Sequence, residues 1–295
     1  MGDAMKVGMV GCDRIGHGWA WAEMLAQDEQ AFIGMRVAKV WDEDRDLAKE
    51  LAERIGAVAV DDLREVGEGV EGILITELFP DRYLDLARPF LEDGRRVFFN
   101  RPFAGSVADA REIVRVAREH GAKIYSASAL YHTPAGEAAR ARLSEIAPVK
   151  LFTMTGPTDH IYFYLPHAIA ATVSVLGPGI ERVQAVKLVP REDEPTLSDG
   201  AVIVYVEYAS GARGVMEMMG PGVDSYAFLL KMFGAKGEAA EVRFEVSYVP
   251  MLQTMREFFA TGEEPVAAET LVEMTAVFYG AIESAKEGGK MVEVG

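Results

Sequence analysis

The sequence predicts a two-domain α/β protein. A doubly wound parallel sheet is expected over residues 1–125, and an α+β domain on an open, mostly antiparallel sheet over 126–295. Three observations carry this reading. The 295 residues, at roughly 150 per domain, suit two domains. The first half alternates short apolar runs with helical stretches, the pattern of right-handed βαβ units buried on both faces. After about residue 148, apolar runs follow one another with few helices between them, which is the pattern of an antiparallel sheet.

Taken in order, Lys6–Gly11 is a short apolar strand ending in glycine, and His17–Gln27 is a helix. Met35–Trp41 is the second strand, and the helix Asp44–Ile55 lines up Leu47, Leu51 and Ile55 before Gly56. Gly72–Thr76 is a strand, Tyr83–Leu91 a helix, Arg96–Phe99 a strand, Val107–His120 a helix closed by Gly121, and Ala122–Ser126 a strand. The second half reads as strands at Val149–Thr155, Arg182–Val189, Ala201–Ala209, Arg213–Met219 and Tyr226–Phe233, with a hairpin turn at Ser210-Gly211. Helices are expected at His167–Leu176, Met251–Ala260 and Glu269–Glu287, and Arg191–Pro195 reads as an exposed loop.

Composition excludes several classes of function. The chain is 49% hydrophobic, so it can build a core, and its formal charge of −16 repels nucleic acid and anionic membranes. One cysteine, Cys12, rules out an internal disulfide and suits a reducing compartment. Met1–Lys6 has no apolar segment resembling a signal peptide, and no apolar run approaches the ~20 residues of a membrane span. A soluble, cytoplasmic protein is expected.

The segment Gly11-Cys12-Asp13-Arg14-Ile15-Gly16 lies where a strand meets a helix, the setting that a G-x-G-x-x-G dinucleotide fingerprint requires. Gly11 and Gly16 match its outer glycines. Asp13 replaces the middle one, whose bareness lets backbone approach a pyrophosphate, and a carboxylate there adds repulsion. The same residues also describe a tight turn with an aspartate capping a helix. Asp42, after the second strand, suits a ribose hydroxyl and favours NAD over NADP, or else caps the helix beginning near Asp44. His132, Asp159, His160 and His167 offer metal ligands, but their spacing fits no compact zinc motif and no metal is expected. No G-x-S-x-G is present to start a hydrolase triad. Cys12 sits at a helix N-terminus, where thiols gain reactivity, but its place in the turn suggests packing.

The stretch Gly94–Ala104, GRRVFFNRPFA, places Asn100-Arg101-Pro102 after a strand. It resembles the Glu-Lys-Pro segment of the Gfo/Idh/MocA oxidoreductases, and the resemblance continues through Ser106–Tyr125, Leu151–Gly177 and Lys286–Val294. It implies a Rossmann-like domain followed by a substrate and oligomerisation domain. It also implies NAD as cofactor, with NADP second, and hydride transfer to or from a sugar, cyclitol or similar polyhydroxylated molecule. Gly11, Asp13, Ile15, Gly16, Asp42, Thr76, Asn100 and Arg101 would then face the cofactor. Arg101 stands where the family has lysine; arginine can orient a substrate oxygen but cannot trade a proton. The family's Asp-x-x-x-His becomes Phe163-Tyr164-Leu165-Pro166-His167, which leaves His167 as the general base. Asp159 and His160 stand just upstream as substitutes for the lost acid, and Tyr131, His132 and Tyr164 are expected to line the substrate site. The competing reading is a relative that has lost redox chemistry and serves as a binding or assembly protein. Asp13, Arg101 and Phe163 favour it; Gly11, Gly16, Asp42 and His167 oppose it.

Assembly is legible too. Ala201–Tyr208 and Tyr226–Phe233 are largely apolar on both faces, whereas a sheet with one solvated face should alternate. A homodimer or higher homo-oligomer through that sheet is expected, as is common in the family; a long covering loop is the other reading. No nucleic-acid or membrane partner is expected, only a small-molecule substrate.

Overall fold

The computed structural model describes residues 4–27, 33–157, 161–187, 201–219, 228–236 and 239–295. The chain divides into two compact units, one of Met1–Ala127 with Val249–Val272, the other of Ser128–Tyr248 with Glu273–Gly295.

In the first unit, β1 (Met5–Val10), β2 (Met35–Trp41), β3 (Val58–Ala59), β4 (Gly72–Ile75), β5 (Arg96–Phe99) and β6 (Lys123–Ser126) form one sheet in the order β3-β2-β1-β4-β5-β6. Every neighbouring pair is parallel. The order reverses between β1 and β4, the switch point outside which such sheets bind ligands. The helices are α1 (His17–Gln27), α2 (Arg45–Ile55), α3 (Tyr83–Glu92) and α4 (Val107–His120). Asp44 caps α2 by accepting from the amides of Asp46 and Leu47, and Ser106 caps α4 by accepting from Asp109. The central strands are buried on both faces, which is why they read as unbroken apolar runs: Val7, Met9, Ile73, Leu74, Val97 and Phe98 are all solvent-free. Trp21 of α1 and Tyr125 of β6 meet Phe98 edge-on.

The sequence pattern alone runs everything after residue 125 together. The contacts instead return Val249–Val272 to the first unit, because Phe258 of α8 (Tyr248–Thr261) packs on Tyr125 and Arg96 donates to the Phe259 carbonyl.

In the second unit, β7 (Val149–Gly156), β8 (Ile180–Lys187), β9 (Val202–Tyr208), β10 (Arg213–Met218), β11 (Phe228–Gly234), β12 (Ala239–Phe244) and β13 (Val292–Glu293) form a sheet in the order β12-β11-β7-β10-β9-β8-β13. All pairs are antiparallel except β7 with β10. The β9–β10 hairpin turns at Ser210-Gly211 as expected, with Gly211 donating to the Tyr208 carbonyl. Also present are α5 (Pro134–Ala141), α6 (Leu143–Ile146), α7 (Ile161–Leu176) and α9 (Ala268–Lys286), which begins in the first unit. The expected start of α7 at His167 is late: the helix begins at Ile161 and passes through Pro166. Proline in the second turn forgoes one hydrogen bond, and the burial of Ile161 and Leu165 holds the extra turns.

The sheet's two faces differ. Val202, Val204 and Val206 of β9, with Phe228, Leu230 and Met232 of β11, are buried on the face over which α7 lies against β7 and β10. Among the described residues, the other face is left open. It carries Leu151, Val186 and Phe233, which are 48%, 46% and 43% exposed, beside the half-buried Ile203, Tyr205 and Leu229. Glu207 stands there at the end of β9, between Arg182 and Arg213. The apolar residues of the two faces thus have different tasks, one intramolecular and one open to solvent.

Arg191–Pro195, Asp159 and His160 lie outside the described residues, as do the first two residues of the strand expected from Tyr226 and the last two, Leu188 and Val189, of the strand expected from Arg182.

Candidate functional site

The turn after β1 is built around Gly11. Its φ is 93°, a conformation glycine adopts without strain. A Cβ there would come within 2.2 Å of the Glu77 nitrogen, at the end of β4. The Gly11 amide donates to the Trp41 carbonyl of β2 at 3.0 Å. From below, the wholly buried Thr76 hydroxyl lies 2.7 Å from the Gly11 carbonyl and 3.1 Å from that of Val10. Thr76, expected at the cofactor, therefore braces the turn from inside. The sequence reading missed Gly18. A Cβ on it would meet the Thr76 hydroxyl at 2.6 Å, so its bareness lets α1 lie against β4. The available signal was a third glycine two residues beyond Gly16.

Two carboxylates organise the turn. Asp42 Oδ2 accepts from the Cys12 amide at 2.7 Å, and its Oδ1 accepts from Asp44 at 2.8 Å. It ties β2 to the turn, while the helix cap itself is Asp44. Asp13 Oδ1 accepts from the amides of Ile15 and Gly16 at 2.9 and 2.5 Å. Burial raises its pKa most, the two amides oppose this, and Asp42 adds to the rise. The Cys12 thiol is fully buried and pushed well above its ordinary range, first by burial and then by Asp42, Asp13 and Glu77. It is a packed group and not a nucleophile. Ile15 is 80% exposed at the lip of the turn.

At the end of β5, Asn100 and Arg101 meet His17, the first residue of α1. The Asn100 Oδ1 accepts from the Arg101 amide at 2.9 Å and from His17 Nδ1 at 3.1 Å. Arg101 Nη2 donates to His17 Nε2 at 3.0 Å. A guanidinium only donates, so His17 carries its proton on Nδ1. Its imidazole stacks on Trp21 at 5.2 Å. Burial first, and Arg101 second, lower its pKa to about 3, so it is a neutral acceptor at ordinary pH. Sequence reasoning passed over His17 because a helix-start histidine carries no motif of its own.

The remaining candidates belong to the second unit. His167 lies on α7, its Nδ1 2.6 Å from the Ser128 hydroxyl and its ring edge-on to Phe228. Phe163, one turn earlier on α7, is 37% exposed, and Tyr164 is half-buried. Tyr131 and His132 hold their rings 4.9 Å apart. Burial lowers the His132 pKa to about 4, with help from Arg140. The candidates thus form two groups: the turn with Asp42, Asn100 and Arg101 in the first unit, and His167, Tyr131, His132 and Tyr164 in the second.

Residues 5–128 match the Gfo/Idh/MocA model, described as an oxidoreductase family with an NAD-binding Rossmann fold. Over this domain, the sequence is similar to the Gfo/Idh/MocA oxidoreductases. The match covers the strand–turn–helix and the Asn100-Arg101 strand end described above. Solved structures with the same fold span both units. The myo-inositol dehydrogenase of Lactobacillus casei, in complex with NAD(H) and myo-inositol, has a TM-score of 0.85 at 15% identity, over 99% of this chain and 97% of that one. A myo-inositol dehydrogenase from Corynebacterium glutamicum has a TM-score of 0.80 at 18% identity, over 99% of both chains. An NAD-binding oxidoreductase from Klebsiella pneumoniae has a TM-score of 0.79 at 18% identity, again over 99% of both. No curated protein matches the sequence.

The matched family is described as having an NAD-binding Rossmann fold, and most of the turn in this chain fits a dinucleotide. The backbone of Gly11 is pressed against Glu77, α1 is seated by Gly18, and Asp42 stands at the end of β2 with a second lone pair left on each oxygen. The amides of Ile15 and Gly16, which would face the pyrophosphate, are held by Asp13.

Proposed function

We propose that this protein is an NAD-dependent dehydrogenase that interconverts a carbinol and a ketone on a polyhydroxylated small molecule such as a sugar or cyclitol. The observation that carries the reading is the Gly11 turn, closed on Glu77 and braced by Asp42 at the strand-order reversal of an NAD-binding family domain. Two myo-inositol dehydrogenases among the similar structures support the substrate class.

Bound nicotinamide supplies a hydride acceptor or donor at its C4. Asp42 holds the adenosine ribose and repels a 2′-phosphate. Arg101, with its fork held by neutral His17, fixes a substrate oxygen without exchanging a proton. His167, steadied at Nδ1 by Ser128, takes or returns the hydroxyl proton. The test is NADH formation at 340 nm across a panel of cyclitols, sugars and simple alcohols. Turnover confined to polyols supports the reading, and turnover of simple alcohols alone overturns the substrate class.

A second copy of the chain on the open sheet face completes the proposal. Leu151 and Phe233, register partners on β7 and β11, stand exposed there beside the Arg182–Glu207–Arg213 cluster, and Val186 of β8 is exposed on the same face toward the other end of the strands. Among the described residues no helix is long and apolar enough to cross a membrane. A cytoplasmic setting accords with the single, buried Cys12.

A further inference from the structure

In a βαβ dinucleotide site the pyrophosphate lies on the amides where the glycine-rich turn enters its helix. In this protein those amides already have an anion. Asp13 Oδ1 sits 2.9 Å from the Ile15 nitrogen and 2.5 Å from that of Gly16. Its other oxygen, Oδ2, is buried against Gly16, where an added Cβ would come within 2.6 Å, and has no hydrogen-bond partner. One carboxylate oxygen thus stands where a phosphate oxygen would stand, and the other is shut away from water.

We propose that Asp13 is an internal competitor for the cofactor's pyrophosphate: its carboxylate occupies the phosphate-facing amides in the free protein, and the dinucleotide binds with protonation and release of that carboxylate. The proposal rests on the reading of this turn as the NAD site.

The surroundings decide between a charged and a neutral Asp13 in the bound state. The ionisable groups facing it are Asp42 at the end of β2, the buried Cys12 thiol beside it and Tyr83 from α3; Glu77, at the end of β4, acts on both Cys12 and Tyr83. Arg14, the nearest cation along the chain, is turned away, paired with Glu50 and lying over Trp19. A pyrophosphate adds two negative charges to a place already holding Asp13 and Asp42, and like charges at close range disfavour ionisation. Burial and Asp42 already raise the Asp13 pKa in the free protein. Protonation removes the repulsion and turns the strongest competing acceptor of the two amides into a weak one.

The test is calorimetric titration of NADH into the full-length protein and into Asp13→Gly and Asp13→Asn between pH 5.5 and 8.5, in paired buffers of differing ionisation enthalpy. The proposal expects the wild-type affinity to tighten as pH falls, with up to one proton taken up per NADH. Asp13→Gly should bind at least tenfold tighter at pH 8 and lose most of the proton uptake. Asp13→Asn keeps the shape and an acceptor oxygen, so it guards against a folding defect in the glycine variant and should likewise lose the proton uptake. Wild-type binding with no proton uptake, proton uptake retained by Asp13→Asn, or an Asp13→Gly variant that binds no tighter at pH 8, would overturn the proposal. Failure of wild type and both variants to bind NADH or NADPH at any pH, with thermal unfolding intact, would instead overturn the dinucleotide reading beneath it.

Discussion

The neutral state of His17 has a measurable consequence for stability. In an unfolded chain a histidine takes its proton near pH 6.5, whereas His17 in the fold does so only near about 3, because burial and Arg101 oppose the charge. Between those values the unfolded state binds more protons. Stability is therefore fully present above about pH 6.5 and falls as the pH is lowered. From pH 7.5 to pH 5.0, protonation of the unfolded His17 alone should cost about 2 kcal/mol, a large fraction of a typical stability of roughly 5–15 kcal/mol. All three tryptophans (Trp19, Trp21 and Trp41) lie in the first unit with His17, so their fluorescence follows that unit during urea unfolding. The raised pKa values of Asp13 and Glu77 work in the opposite direction, since each favours the native state below its own folded value. The comparison of interest is thus wild type against His17→Asn at both pH values. The variant should lose about 2 kcal/mol less than wild type on acidification. If both lose the same amount, His17 is not held neutral, and the acceptor role assigned to it beside Arg101 is wrong.

Other outcomes follow from single contacts. Gly11→Ala forces a Cβ to 2.2 Å from the Glu77 nitrogen at a φ of 93°, and should lower the first unit's stability by at least ~2 kcal/mol in urea titration; a loss below half of that would mean the turn can open. His167→Ala should abolish turnover while circular dichroism stays native, and a normal rate on a verified substrate would remove His167 from the chemistry. Arg101→Lys keeps a cation at the strand end and should retain activity; complete loss would show that the guanidinium fork has a task of its own. Phe233→Lys on the open sheet face should yield a monomer of 32.2 kDa by light scattering, and an undisturbed oligomer would place the contact elsewhere.

Much of the architecture was readable because the parallel strands are buried on both sides. Runs such as Gly72–Ile75 and Val97–Phe99 hold no polar residue, and Asp44 and Ser106 mark where helices begin. Less readable were the two-residue strands β3 and β13, the charged strand β12 and the short helices α5 and α6, since none carries a full period of any pattern. The return of Val249–Val272 to the first unit rests on Phe258 and Phe259, whose partners lie more than a hundred residues away. Motif spacing pointed to Gly11, Asp13 and Asp42, and the family resemblance to Asn100-Arg101. Neither could show that Thr76 points inward or that His17 reaches Arg101, because these depend on how α1 lies against the ends of β4 and β5. The double-sided apolar strands were visible, but sequence alone did not say which side was covered. Val204 and Phe228 face the intramolecular core, and the open side belongs to Leu151, Val186 and Phe233.

The central claim is that the Gly11–Gly16 turn, with Asp42 beside it, is an NAD site. Nicotinamide fluorescence titrations of NADH and NADPH, run side by side on the wild-type protein near neutral pH, test it most directly. The account predicts saturable binding of NADH at least roughly tenfold tighter than that of NADPH, because the Asp42 carboxylate accepts from a ribose 2′-hydroxyl and repels a 2′-phosphate. Equal or tighter binding of NADPH, or no binding of either, would contradict it.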